Sequence, residues 1–305
     1  MAVNRAVNRA VNASRPPVLF GVSVTPDAAA IDEITTLTRI ADAAGLDLVA
    51  IQDHPYQPGF LDVWTLITHL AARTERIGFF PDVADLALRP PAMLAKAAAS
   101  LDLLSGGRIE LGVGAGAFAD AIAGMGGPSR TPAQNVEATR EALQVIRAAW
   151  GARPFALLGD HHRIQGYHPG PPPSREIGLW VGAQKPRMLR LIGDLADGWV
   201  CPLNIYISPG EVPPLQEIID EAATDAGRDP NRIRRIYNVL GTIGPGTGGQ
   251  GLNGPVESWA ETLADWATRL RFDTFVFWPT GAPDTQFRLF AEEVVPRVRA
   301  LLDEG

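Results

Sequence analysis

Residues 76–116 read RIGFFPDVADLALRPPAMLAKAAASLDLLSGGRIELGVGAG, and their spacing decides the fold. An apolar run, Ile77 to Phe80, precedes a helical pattern, and a second apolar run then ends in glycines. Leu94, Ala97/Ala98, Leu101 and Leu104 recur every three to four residues, which lays one apolar stripe along a helix. Pro90-Pro91 suits the approach to its N-terminus, and Gly106-Gly107 suits a left-handed stop. The second run, Arg108 to Leu111, leads into Gly112-Val113-Gly114-Ala115-Gly116, where backbone can come very close to a ligand. The stretch reads as one strand–helix–strand unit.

The same alternation continues from Val18 to the end of the chain. Strand-like runs fall at Val18–Val24, Leu48–Gln52, Ile77–Phe80, Ile109–Leu111, Gly178–Val181, Gly198–Cys201, Ile236–Ile243 and Thr274–Trp278, with helical patterns between them. Eight such units predict an α/β fold, a (β/α)8 TIM barrel, with a short insertion after the fourth helix at residues 151–176 that reads as a hairpin and a Pro-rich tail. The expected organisation is a flexible N-terminal arm over residues 1–17, built on an Ala-Val-Asn-Arg repeat, and one barrel domain over 18–305. Gly244–Gly254 is glycine-dense and is expected to be mobile, with a lid and an unstructured loop both open as readings.

Bulk composition narrows the function. The 305 residues carry 27 basic against 34 acidic side chains, a net charge of −7, which disfavours nucleic-acid and anionic-membrane partners. Cys201 is the one cysteine, so no intrachain disulfide forms, and a cytoplasmic location is expected. No apolar run approaches the roughly 18 residues of a membrane span. A small-molecule substrate is the expected partner, and a homodimer is open.

In a barrel of this kind, chemistry sits at the C-terminal ends of the strands. Those ends offer few metal ligands and no second histidine, so no metal is expected. No Gly-x-Ser-x-Gly elbow points to a nucleophilic serine. Gly182-Ala183-Gln184-Lys185-Pro186 leaves one strand and opens a helix, and free N–H groups beside a lysine make a phosphate seat; a plain strand-to-helix loop has the same appearance. Gly112, Gly114 and Ala117 match G-x-G-x-x-A, but a dinucleotide fingerprint belongs in a first unit and runs straight into a helix, whereas Phe118–Pro132 interrupts the helix here. His54 closes a strand beside Asp53, which places it on the catalytic face and leaves Asp53 a cofactor or supporting role.

Four blocks of the chain resemble the bacterial luciferase-like superfamily of flavin- and deazaflavin-dependent oxidoreductases: AIQDHPYQPGFLDVWTLITHLAARTERIGF (50–79), LRPPAMLAKAAASLDLLSGGRIELGVGAGAF (88–118), GLWVGAQKPRMLRLIGDLADGWV (178–200) and FDTFVFWP (272–279). The resemblance implies a barrel that binds the deazaflavin F420, or alternatively FMN, at its mouth. It implies Asp53 and His54 at the cofactor, with His54 as acid or base, and a non-proline cis peptide near Asp82-Val83, so that Asp82 and Val83 lie behind the ring. Gly114, Ala115 and Gly116 would lie along the cofactor, and Gly182, Ala183, Gln184 and Lys185 would hold its phosphate-bearing tail. One departure is visible. Sugar-phosphate dehydrogenases of the superfamily carry a glutamate acid just after the glycine run, where this chain has Ala117. The expected activity is F420-dependent hydride transfer. An FMN-dependent monooxygenase and a non-catalytic flavin-binding protein are the alternatives.

Overall fold

Eight parallel strands form the barrel wall: β1 (Leu19–Val24), β2 (Leu48–Ile51), β3 (Gly78–Pro81), β5 (Leu111–Gly114), β8 (Leu179–Gly182), β9 (Gly198–Cys201), β10 (Arg234–Ile243) and β12 (Thr274–Pro279). Their order is β3-β2-β1-β12-β10-β9-β8-β5, and the ends of that path meet where Phe79 bridges Ile109. There the Phe79 N–H donates to the Arg108 carbonyl (2.8 Å) and the Glu110 N–H to the Phe79 carbonyl (2.9 Å). The computed structural model describes residues 16–151, 153–246 and 248–304. The arm expected over 1–17 therefore lies outside the described residues, apart from Pro16 and Pro17.

Helices α1 (Ile31–Ala43), α2 (Val63–Ala71), α3 (Pro91–Ser105), α5 (Pro132–Trp150), α6 (Pro186–Leu195), α7 (Val212–Asp225) and α8 (Val256–Arg269) cover the outside. The last helical stretch divides into α9 (Pro283–Arg288), a π-helical turn (Leu289–Val294) and α10 (Val295–Glu304). Two cores result. A large one packs the helices onto the strands, and a small one of Leu48, Ala50, Phe80, Trp180, Val200, Ile236 and Val276 fills the barrel interior. Parallel strands buried on both faces need apolar residues at nearly every position, which is why the strand runs are continuous rather than alternating.

Helix α3 begins with Pro91 at a first-turn position and stops at Gly106, whose φ of 70° is the left-handed cap its sequence suggests. Leu94, Ala98 and Leu101 are buried as the periodicity predicts, but Leu104 is 80% exposed. At 3.6 residues per turn it stands about 80° round from Leu94, off the edge of the stripe. Strand limits shift as well. β5 takes in Gly112–Gly114, so that much of the glycine run is strand and not loop. A short helix, α4 (Ala119–Gly124), occupies part of the interrupted segment before α5, which starts with a Thr131/Gln134 capping box. Residues 155–158 and 163–167 pair as an antiparallel hairpin, β6 and β7. The glycine-dense segment expected to be a lid or an unstructured loop instead ends in a short strand, β11 (Leu252–Gly254), paired with β10 through Gly241–Ile243. Among the described residues no helix is long and apolar enough to cross a membrane.

Candidate active site

The site is organised by a break in the barrel wall. β3 ends at Pro81, the Asp82–Val83 peptide is cis, and the chain resumes as β4 (Ala84–Asp85), which pairs with β5 through Val113 and Gly114. The break turns the Val83 side chain over the neighbouring strands. A Cβ on Gly114 would lie 2.7 Å from Val83 Cγ2, and one on Gly182 3.0 Å from the same methyl. A Cβ on Gly112 would lie 3.3 Å from Val83 Cγ1 and would also overlap the Pro81 carbonyl oxygen. Of the approaches to Val83, only the 2.7 Å one at Gly114 is one that real Cβ atoms do not make; those at Gly182 and Gly112 are tight, and at Gly112 it is the Pro81 carbonyl oxygen that forbids a side chain. Gly114 thus has a reason that the sequence left unseen: it leaves a hollow that makes room for Val83, before any ligand is considered.

Above this hollow, at the C-terminal ends of the strands, lies a cavity of about 880 Å³. It brings together all the residues singled out from sequence: Asp53, His54, Asp82, Val83, Gly114, Ala115, Gly116, Gly182, Ala183, Gln184 and Lys185. It also gathers Tyr56, Asp85, Arg187, Arg190 and Asn238, which sequence reasoning did not single out. A smaller concavity of about 510 Å³, bordered by Thr36, Arg39, Arg288 and Glu292, lies on the outer helices and contains no strand-end residue.

One side of the cavity holds His54, half-buried at the end of β2. Its Nδ1 is 2.7 Å from the Tyr56 hydroxyl, and its ring meets Phe118 edge-on at 5.5 Å between centroids. Tyr56 and Phe118 also meet edge-on, at 5.8 Å, so the three rings form one cluster. Burial lowers the imidazole's pKa below its ordinary value, the Asp53 charge pulling weakly the other way. Burial, together with Asp85 and Asp53, pushes the Tyr56 phenol up to about 12. His54 is therefore neutral and Tyr56 protonated at neutral pH, and Nε2 is the ring nitrogen left for a molecule in the cavity.

Asp53 lines the cavity and is already paired. Its carboxylate receives Arg89 Nε at 2.6 Å and Arg89 Nη2 at 2.8 Å, and the Asp85 N–H at 3.0 Å. Arg89 also reaches Asp62 at 2.6 Å. Although burial opposes it, the Asp53 and Asp62 charges hold the guanidinium's pKa above its ordinary value. Such a bidentate, buried pair fixes the loop between β4 and α3 and leaves Asp53 little capacity for a further donor.

The floor is polar but quiet. Trp278 Nε1 donates to Asn238 Oδ1 at 2.9 Å, and Asn238 Nδ2 donates to the Cys201 carbonyl at 3.2 Å and makes a long contact of 3.5 Å with Asp82 Oδ1. Asp82 lines the cavity while its Oδ2 is fully enclosed without a hydrogen-bond partner among the described residues. Burial, only weakly countered by Asn238, raises its carboxyl to about 7. The Cys201 thiol is also raised by burial and offers no nucleophile.

The opposite side is cationic. Helix α6 starts with Lys185 as its N-cap residue and Pro186 in its first turn, with no side chain capping it. Lys185, Arg187 and Arg190 are exposed there, and among the described residues none has an acidic partner within ion-pair distance. Pro186 has no N–H, and the Met188 and Leu189 N–H groups both donate to the Lys185 carbonyl (3.0 Å each), so what the helix start offers an anion is chiefly its unpaired cations and the positive end of the helix.

The barrel carries one concave mouth cavity, of about 880 Å³, whose charge is divided between its two sides. The chain belongs to the luciferase-like monooxygenase family, whose model matches residues 17–245. It is 36% identical over 197 residues to a phthiodiolone/phenolphthiodiolone dimycocerosates ketoreductase of Mycobacterium kansasii, covering 61% of this chain and 49% of that one. It is 28% identical over 221 residues to an F420-dependent glucose-6-phosphate dehydrogenase of Nocardia farcinica, covering 68% and 63%. The match thus spans about half the length of the ketoreductase. Among solved structures, an F420-dependent secondary alcohol dehydrogenase in complex with an F420–acetone adduct superposes with a TM-score of 0.84 at 16% identity, covering 93% of this chain and 100% of that one. The family model and the barrel thus agree on the fold.

Proposed function

We propose that this oxidoreductase uses F420, bound at the barrel mouth, and that His54 is its proton carrier. The observation that carries the reading is one cavity with a neutral, half-buried imidazole on one side and three unpaired cations at an uncapped helix start on the other. These residues fit an anionic-tailed redox cofactor. Lys185, Arg187, Arg190 and the start of α6 would hold the tail, Val83 would give the ring an apolar support, and the enclosed Asp82 carboxyl lies at the floor beneath. The deazaflavin, when bound, supplies hydride chemistry. The names of the ketoreductase and dehydrogenase relatives agree with that reaction class.

His54 supplies the proton chemistry. In the tautomer in which Nδ1–H donates to the Tyr56 oxygen, Nε2 presents a lone pair that would take a substrate hydroxyl proton. In the reverse direction the protonated ring returns it to a carbonyl oxygen. Ala117 lines the cavity at the position of the glutamate acid in sugar-phosphate dehydrogenases and has no proton to give, so the transfer falls to His54.

Parallel titration of the purified protein with F420 and FMN, followed by cofactor fluorescence, tests the reading. Saturable F420 binding is expected, weakened by Lys185→Ala and Arg187→Ala and by added salt, since exposed charges are screened within about 10 Å at 0.1 M. Tight FMN binding without F420 binding, with oxygen uptake in the presence of a flavin reductase, would replace the proposal with a monooxygenase. Binding of neither would end it.

A further inference from the structure

One buried group at the mouth lies outside the proton chemistry assigned to His54. Asp82 keeps part of its surface on the cavity floor, but its Oδ2 is enclosed and has no hydrogen-bond partner among the described residues. Its Oδ1 meets the Asn238 amide at 3.5 Å. That amide is oriented from its far side. An indole N–H can only donate, so Trp278 Nε1 holds the Asn238 oxygen and turns the amide nitrogen towards Asp82 and the Cys201 carbonyl. A charge on Asp82 would therefore meet one long, neutral N–H, too little to offset the loss of water.

The neighbouring groups supply no counter-charge. Arg89 is committed to Asp53 and Asp62, and Asp53 and Asp85, towards β2 and β4, are themselves acids. His54 is neutral at neutral pH, and burial keeps the Tyr56 hydroxyl and the Cys201 thiol protonated. Lys185, Arg187 and Arg190 stand on the opposite side, at α6, and leave the Asp82 titration untouched: burial raises it to about 7, and Asn238 alone pulls it down. A redox ring laid on this floor would cover the surface that Asp82 still shows to the cavity and favour the neutral acid further.

We infer that Asp82 is a positioning residue that accepts the cofactor ring only in its protonated form, so that loading the barrel takes up a proton. The inference rests on the proposed function for what fills the cavity, and it adds a condition to that reading: the charge state of the floor gates the cofactor. The proton comes from solvent and stays on the carboxyl, and no bond of the cofactor changes.

Calorimetric titration of the wild type and of Asp82→Asn with F420 at pH 6 and pH 8.5 decides the matter. Only the protonated fraction binds, so the wild-type Kd should rise about 30-fold between the two pH values over and above any change in the variant. His54, Asp85 and the cofactor's own groups titrate in both proteins and cancel in that ratio. Asparagine keeps the shape of the neutral acid, so the two proteins should bind alike at pH 6. At pH 8.5, buffers of different ionisation enthalpy should show the wild type taking up about one more proton per F420 than the variant. Asp82→Ser, which also cannot ionise, repeats the comparison and separates loss of charge from a misplaced amide. A wild-type-to-variant Kd ratio that is the same at both pH values, for both variants, overturns the inference and leaves the proposed function standing. Failure of the wild type to bind F420 at either pH overturns the proposed function, and this inference with it.

Discussion

Replacing Asp82 with asparagine should change how stability depends on pH. The carboxyl titrates near 3.8 when exposed and at about 7 in the fold, because burial disfavours its charge and, among the described residues, its one polar contact is the long one to Asn238. A carboxyl whose pKa rises on folding stabilises the folded state fully below 3.8 and loses that contribution as pH climbs through about 7. At about 1.36 kcal/mol per tenfold change in proton affinity, the full loss is at most about 4 kcal/mol, and about 2–3 kcal/mol of it falls between pH 5 and pH 8. Asparagine has the shape of the neutral acid and never ionises. Asp82→Asn should therefore gain on the wild type by that amount between the two pH values. Asp273, raised by burial to about 6, and Asp85 and Glu110, also raised by burial, titrate in both chains and cancel in the difference. Urea unfolding at pH 5 and pH 8, compared at equal m-value, measures it. A gap between variant and wild type that is the same at both pH values would refute the claim that an enclosed Asp82 carboxyl is kept protonated.

Gly114→Ala should cost about 1–3 kcal/mol by driving a methyl against Val83, and adding Val83→Ala should restore much of the loss in the same unfolding assay. Arg89→Ala should cost about 3–5 kcal/mol by stranding the buried Asp53 charge, whereas Arg89→Met with Asp53→Asn should cost less; equal losses would count against the ion pair. His54→Ala should lower alcohol oxidation about 10²–10⁴-fold while F420 affinity holds. In the wild type, kcat/KM for that oxidation should rise with pH and level off with a midpoint below 6.5, since burial lowers the imidazole; a midpoint above 6.5 would contradict the environment described here.

The barrel was legible because its strands are buried on both faces and its helices on one, so hydrophobic period alone separates them. α6 opens at Pro186, where the sequence places a helix start, and Gly106 stops α3 where expected. The site was legible in part, since strand ends and the superfamily resemblance mark Asp53, His54 and Lys185. The rest depends on contacts between residues far apart in the chain. Arg89 stands 36 positions from Asp53, and no local pattern couples them. Asn238 breaks an apolar strand, a signal that a polar side chain points inward, but its partners Asp82, just past β3, and Trp278, on β12, come only with the closed barrel. Phe118 follows the glycine run directly and reads as loop until it is seen against His54.

The glycines and Asp53 together alter what the most conspicuous motifs of this chain are for. Glycine at 114 lets Val83 cross the inside of the wall, so the hollow shapes the cavity floor from within the protein rather than exposing backbone from without. Asp53, beside the catalytic candidate, spends its charge on Arg89, and that pairing leaves the His54 side without an available cation. Lys185, Arg187 and Arg190 keep theirs. On the proposed reading a negatively charged tail would be drawn to α6, while burial, only partly opposed by the Asp53 charge, lowers the imidazole's pKa. On the proposed reading, binding and proton transfer would be separated by where the ion pairs are made and where they are withheld.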